Sequence, residues 1–292
     1  MRWVFFLSSF EWVEPQSPEE IMSEVIEKYG YDRFYVLFSG GKDSVCVADF
    51  IARNYPDRFA GIVFTNTGLG ARATRQFVVD YAKKRNWPIH MTWASDKERF
   101  YNIVMKYGFA FAGNHSMWMG YLKMHTWYYF LRPKIKAGEN ACFISGVRKK
   151  ESRARNKVKK YTKKPLDFNS GLPYVKPFLW KNGEQLWDYF IENELEKTPV
   201  YQWLNRSGEC YCGAHAEEWD LKLMEKNDPL AFETIKWLET EIGRVGSKLA
   251  KRYNKWGYKS STEDIENQST LSDFFGEKIE VNEDYCGESC MV

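Results

Sequence analysis

Six residues, Ser39-Gly40-Gly41-Lys42-Asp43-Ser44, carry the clearest chemistry in this chain. The glycines let backbone N–H groups converge on an anion, and Lys42 adds a mobile positive charge. The run before them, Phe34-Tyr35-Val36-Leu37-Phe38, is apolar and strand-like. After them Val45, Val47, Ala48, Phe50 and Ile51 fall at spacings that line one face of a helix. A strand, a glycine turn and a helix start make a phosphate site, because the helix N-terminus adds unpaired donors. The spacing is not that of the Walker loop, which sets four residues between its first glycine and its Gly-Lys pair.

A second cluster is cationic. Gly146-Val147-Arg148-Lys149-Lys150-Glu151-Ser152-Arg153-Ala154-Arg155 follows a strand candidate at residues 141–145. Planar guanidinium forks on Arg148 and Arg155 suit a bidentate grip on phosphate or sulfate oxygens, and Glu151 can hold one of them in place. Lys157, Lys159, Lys160, Lys163 and Lys164 extend the charge. The run from Lys157 to Lys164 reads as a solvated loop or, with the rest of the basic loop 148–164, as a surface for a tRNA or DNA backbone.

Thiols form the third group. Of six cysteines, Cys210 and Cys212 make one close pair, and Cys286 and Cys290 make another at the end of an acidic tail. Four thiolates suit tetrahedral zinc (Zn2+) or a [4Fe-4S] cluster, and such a centre would staple the tail to the body. The same residues also read as two unrelated pairs of free thiols. Cys46 and Cys142 lie on core-like patterns and read as packing residues. The four histidines show no metal-binding spacing. His115 and His215 lie near the motif segments, whereas His90 and His125 read as structural.

The elements that must position these groups follow in order. Ser17-Pro18-Glu19-Glu20 opens a helix with a capping box, and Gly30 ends it. Residues 59–65 read as a strand ending in Asn66-Thr67-Gly68, followed by a helix over about 74–85 and a strand at 89–93. Residues 174–180 read as a Pro-containing strand, 184–190 as a helix, and about 228–242 as another. This alternation predicts an α/β fold, a parallel sheet flanked by helices. Ligands of such sheets lie beyond the carboxyl ends of the strands, where both the 39–44 loop and the Thr67-Gly68 turn fall. The expected division is an N-terminal extension (1–30), a nucleotide-binding domain (31–205), and a C-terminal helical region with an acidic, cysteine-bearing tail (206–292).

At 292 residues and 44% apolar content the chain can bury a sizeable core. A net charge of +3 does not by itself call for nucleic acid. No apolar run reaches membrane-spanning length, and the apolar start is too short for a signal peptide. The expectation is a cytoplasmic protein with reduced thiols and no membrane partner.

Ser39-Gly40-Gly41-Lys42-Asp43-Ser44 resembles the pyrophosphate loop of the adenine-nucleotide alpha hydrolase superfamily. The Gly-x-Arg-x-x-Glu-Ser-x-x-Arg pattern on Gly146, Arg148, Glu151, Ser152 and Arg155 resembles the arginine motif of its phosphoadenosine phosphosulfate (PAPS) reductase branch. Trp118 and Lys123 resemble a further segment of that branch, with Met119 where relatives carry a Cys. Trp118 also reads simply as aromatic packing at a helix start. Trp180, the helix after it and Pro199-Val200-Tyr201 keep the branch's order, and the likeness runs from about residue 34 to 212. Asn66 stands where the superfamily often has an Asp.

The resemblance implies an adenine nucleotide held by residues 39–44, Thr67, Gly68, Lys123, Gly146, Arg148, Glu151 and Ser152. Chemistry then falls at the alpha phosphate, with Lys42, Asp43, Arg148 and Arg155 as catalytic candidates. One reading uses ATP with Mg2+ to adenylylate a nucleic acid, after which sulfur is transferred to it. The intact Lys42-Asp43 and the basic loop lean that way. The other reduces PAPS or APS through Cys286, since Cys286-Gly287 resembles the reductases' catalytic pair, with a thioredoxin-like reductant or sulfur donor as partner. A nucleotide- and metal-binding module without catalysis is the third reading, and a homo-oligomer is compatible with each.

Overall fold

The computed structural model describes residues 16–149, 165–169 and 171–259. Helix α1, Pro18–Tyr29, starts as its sequence dictates: Ser17 and Glu20 close a reciprocal capping box, and Gly30 ends the helix at φ 70°. Then come β1 (Arg33–Leu37), α2 (Lys42–Asn54), β2 (Phe59–Asn66), α3 (Arg72–Arg85) and β3 (Ile89–Trp93). Helices α4 (Phe100–Tyr107), α5 (His115–Met119) and α6 (His125–Lys136) follow, the last two joined by a π turn at Gly120–Met124. The sheet is completed by β4 (Ala141–Ile144), β5 (Leu166–Asn169) and β6 (Leu172–Val175). Helices α7 (Gly183–Glu192), α8 (Asp220–Asn227), α9 (Pro229–Val245) and α10 (Lys248–Arg252) complete the described chain.

The six strands lie in the order β3-β2-β1-β4-β6-β5. β1 pairs in parallel with both β2 and β4, and only β5 runs antiparallel, against β6. The chain therefore winds outward from β1 to one side and resumes on the other side at β4. That reversal opens a crevice between the carboxyl ends of β1 and β4.

Side chains alternate across the strands and separate two cores. Phe34 and Val36 face a cluster with α1, α2, α3 and α7, while Tyr35, Phe143 and Tyr174 face Leu131 and Trp127 of α6. Helix α2 is buried from Ser44 through Ile51, more fully than one apolar face requires. Its Asp49 is satisfied there by Arg53 Nε at 2.7 Å and by the Tyr189 hydroxyl at 2.9 Å. A third cluster packs Trp118, Leu122, Ile103 and Val104 against Tyr211, Ile235, Leu238, Ile242 and Trp256. Each such fully buried aliphatic side chain contributes about 1.5–3 kcal/mol.

Two elements differ from the sequence reading. The strand expected at 174–180 ends at Val175. Pro177 has no N–H for a ladder, and the chain turns there, with Leu179 N donating to Lys176 O at 3.1 Å. The hairpin of β5 and β6 was not anticipated; it turns at Gly171, whose φ is 76°. Among the described residues no helix is long and apolar enough to cross a membrane.

Candidate active site

The chain leaves β1 and turns through Gly40 at φ 72° before α2 begins. Ser39 and Ser44 lock this loop: Ser44 Oγ accepts from Ser39 N at 3.2 Å and donates to Gly41 O at 2.8 Å. Gly41 precedes the helix with no side-chain cap, so the first-turn donors of α2 stay directed at the loop mouth. A Cβ on Gly41 would stand 3.1 Å from the Tyr201 hydroxyl, and one on Gly40 3.2 Å from Phe77. The loop is thus held on both flanks.

Two cations converge on Asp43. Lys42 Nζ lies 3.4 Å from Oδ1, and Arg148 Nε donates to Oδ2 at 2.9 Å. Arg148 arrives from the tail of β4, which presses on the loop so closely that a Cβ on Gly146 would sit 2.7 Å from Asp43 O. Gly146 is required for that approach. A cavity of about 240 Å³ opens beside these groups, lined among others by Ser39, Asp43, Ser44, Thr65, Lys123, Trp127, Gly146 and Glu209.

Lys123 projects from the π turn and forms an ion pair with Glu209. Burial opposes its charge, but Glu209 and the neighbouring thiols Cys210 and Cys212 outweigh it and raise the ammonium pKa. Glu209 is fixed because its segment is clamped to the β2–α3 turn. Ala71 N donates to Gly208 O and Tyr211 N to Leu69 O, both at 2.7 Å, and Thr67 Oγ1 donates to Glu209 O at 3.2 Å. Gly70 permits the contact, since a Cβ there would overlap Glu209 O. Gly68, at φ 88°, is held by Asn66 Oδ1 at 3.0 Å. The side chain at the superfamily's Asp position therefore shapes its own turn.

Cys210 and Cys212 neighbour Lys123 and each other. Its contact with Cys210 first, and then His115 and the Ala214 backbone, holds Cys212 well below the ordinary thiol range against burial, while Cys210 is pushed up. His115 is in turn edge-on to His215, with ring centroids 4.5 Å apart.

Two thiols are half of the four soft donors that tetrahedral zinc or a cluster takes. Among the described residues no three His, Cys, Asp or Glu side chains are disposed to hold a metal ion. The other expected ligands, Cys286 and Cys290, lie outside the described residues, as do Glu151, Ser152, Arg155 and the basic run from residue 150 to 164. Cys46 and Cys142 are buried, and burial raises both thiols, Cys46 to about 12.

A family model described as the phosphoadenosine phosphosulfate reductase domain matches residues 33–211. The chain belongs to the PAPS reductase family. The matched residues include the 39–44 loop. No curated protein sequence matches the chain. Among solved structures, PAPS reductase from Candida auris is 13% identical, covers 67% of this chain and 94% of its own, and has a TM-score of 0.45. FMN adenylyltransferase of Candida glabrata, bound to FMN and an ATP analogue, is 11% identical over 66% of this chain and 65% of its own, with a TM-score of 0.42. The U34-tRNA thiolase NcsA from Methanococcus maripaludis, with its [4Fe-4S] cluster, is 14% identical over 78% and 80%, with a TM-score of 0.42.

Three features of this PAPS-reductase-family site escape sequence reasoning. Glu209 stands next to Cys210 in a segment already marked by its cysteines, but nothing local ties it to Lys123. His115 reaches Cys212 only through the packing of α5. Trp187 of α7 takes both Lys42 and Lys197 against its ring, from residues that read as an ordinary helix and loop.

Proposed function

We propose that this chain is an ATP-using enzyme of the PAPS reductase family that adenylylates a nucleic-acid acceptor ahead of sulfur transfer. The observation that carries the reading is the convergence of Lys42, Arg148 and the uncapped start of α2 on one loop mouth, with Asp43 binding both cations. In this reading an acceptor oxygen attacks the alpha phosphorus, the bond to the bridging oxygen breaks, and pyrophosphate leaves. Lys42, Arg148 and the loop amides oppose the charge that grows on the leaving group. Mg2+ carried by the phosphates supplies further neutralisation. Sulfur from a donor then displaces AMP from the adenylated acceptor. The Cys210–Cys212 pair neighbours Lys123, which lines the cavity beside the loop.

The family match supports a second reading, reduction of PAPS or APS by Cys286. The deciding assay incubates the full chain with radiolabelled ATP, Mg2+ and tRNA or DNA, and in parallel with PAPS and a thiol reductant. AMP and pyrophosphate from ATP, lost in Lys42→Ala, support the ATP reading. Sulfite from PAPS, lost in Cys286→Ser and with no ATP turnover, establishes the reductase instead. Turnover of either nucleotide that survives Lys42→Ala removes the loop from the active site.

A further inference from the structure

The mouth of the pyrophosphate loop carries more positive charge than Lys42 and Arg148 alone. Lys42 Nζ lies 4.7 Å from the centroid of the Trp187 ring, and Lys197 Nζ lies 4.6 Å from the same ring. Lys197 also lies 4.5 Å from the Tyr201 ring. Two ammonium groups thus share one indole, and among the described residues Lys197 ion-pairs with no carboxylate. Asp43, the carboxylate on the loop itself, is already divided between Lys42 and Arg148, and Glu209 across the cavity pairs with Lys123.

Backbone contacts fix Lys197 to the loop. The next residue, Thr198, donates its N–H to Gly40 O at 3.0 Å, and its hydroxyl meets Thr74 Oγ1 at 2.9 Å. Tyr201 abuts Gly41. Aromatic faces hold ammonium groups by their quadrupole without neutralising them. Like charges gathered in this way repel, and a polyanion bound between them relieves the repulsion.

We propose that Lys197, held by Trp187 and Tyr201, is the second ammonium of a subsite for the pyrophosphate moiety of a nucleoside triphosphate. The subsite rests on the reading of the 39–44 loop as an ATP site and deepens it. It selects ligands carrying two linked phosphates beyond the alpha position over a nucleoside monophosphate. Trp187, 40% exposed beside the loop, has in this assignment the task of aiming two cations at one ligand.

The test is isothermal titration of the full chain with inorganic pyrophosphate, ATP and AMP. Lys197→Met keeps the apolar stem and removes the charge; Lys197→Arg keeps the charge. The expected result is a tenfold or greater loss of pyrophosphate and ATP affinity in Lys197→Met, unchanged AMP affinity, and near-native binding in Lys197→Arg. Trp187→Leu is expected to weaken pyrophosphate binding in the same direction. Lys42→Ala separates the two layers of the argument. If it abolishes pyrophosphate binding while Lys197→Met binds like the parent, the Lys197 assignment is overturned and the loop reading stands. If Lys42→Ala still binds pyrophosphate normally, the loop reading falls and the subsite with it. Thermal melting of each variant identifies any loss due to unfolding, in which case Lys197→Gln replaces Lys197→Met.

Discussion

Arg148 donates from Nε to Oδ2 of Asp43 at 2.9 Å, joining groups 105 residues apart in the chain. Arg148 is 8% exposed, so removing it leaves Asp43 with only Lys42 and opens space beside the loop. Arg148→Met is expected to weaken ATP binding about tenfold and to cost about 1.5–3 kcal/mol of stability, the range for a hydrogen bond to a charged group. Asp43→Asn combined with Arg148→Met is expected to cost less stability than the two changes summed, because each single variant strands its partner. Calorimetric titration and urea unfolding of the cycle measure both. Full additivity would mean that the two side chains do not act as a pair.

Cys212 is predicted to be the more reactive thiol of its pair at mildly acidic pH. Its pKa is lowered by its contact with Cys210 first, and then by His115 and the Ala214 backbone. A lowered pKa means the thiolate persists as pH falls below the ordinary thiol range and is lost only as pH passes the depressed value. Alkylation by iodoacetamide, mapped by mass spectrometry across pH 5–9 (roughly, the span below and around a free thiol), is expected to label Cys212 ahead of Cys210. Cys210→Ala and His115→Ala should each shift the Cys212 profile upward. Equal labelling of the two thiols across that span would exclude a Cys212 thiolate.

His90 gives the fold an acid sensitivity of its own. The ring sits against Tyr35 and Phe130, and Nε2 donates to Ala60 O at 2.9 Å. Burial lowers its pKa, with the Ala60 bond opposing. The unfolded chain therefore binds a proton before the folded one does, so this contribution is whole above about pH 6.5 and declines as pH falls through the lower folded value. Thermal melting at several pH values is expected to show a smaller acid-side loss in His90→Gln than in the parent. An identical loss in both would assign the sensitivity elsewhere.

Much of the frame is set by neighbours in sequence. The capping box of α1, the strand–glycine–helix passage at residues 33–54 and the order of the parallel strands each follow from residues a few positions apart. Local backbone preference and hydrophobic period act over that range. The 39–44 turn is legible for the same reason, since its glycines and amides are consecutive in the chain. The end of β6 was misread because an apolar run continues past Val175, whereas the missing N–H of Pro177 ends the pairing.

What the sequence could not hold is which distant groups meet. The motif names Gly146 but not the reason for a glycine there, which appears only when β4 lies beside β1: an added Cβ would stand 2.7 Å from the Asp43 carbonyl oxygen. Cys212 looks like half of a metal motif until α5 brings His115 to it. Glu209 and Lys123, and Lys197 and Trp187, meet only because the 206–212 segment and the 197–201 turn are hydrogen-bonded to loops at the carboxyl ends of β2 and β1. The sequence determined that a glycine turn joins a strand to a helix start at residues 39–44 and where it sits between them. Tertiary packing decided which cations, carboxylates and thiols surround it, because those contacts depend on strand order and loop docking that no local pattern encodes.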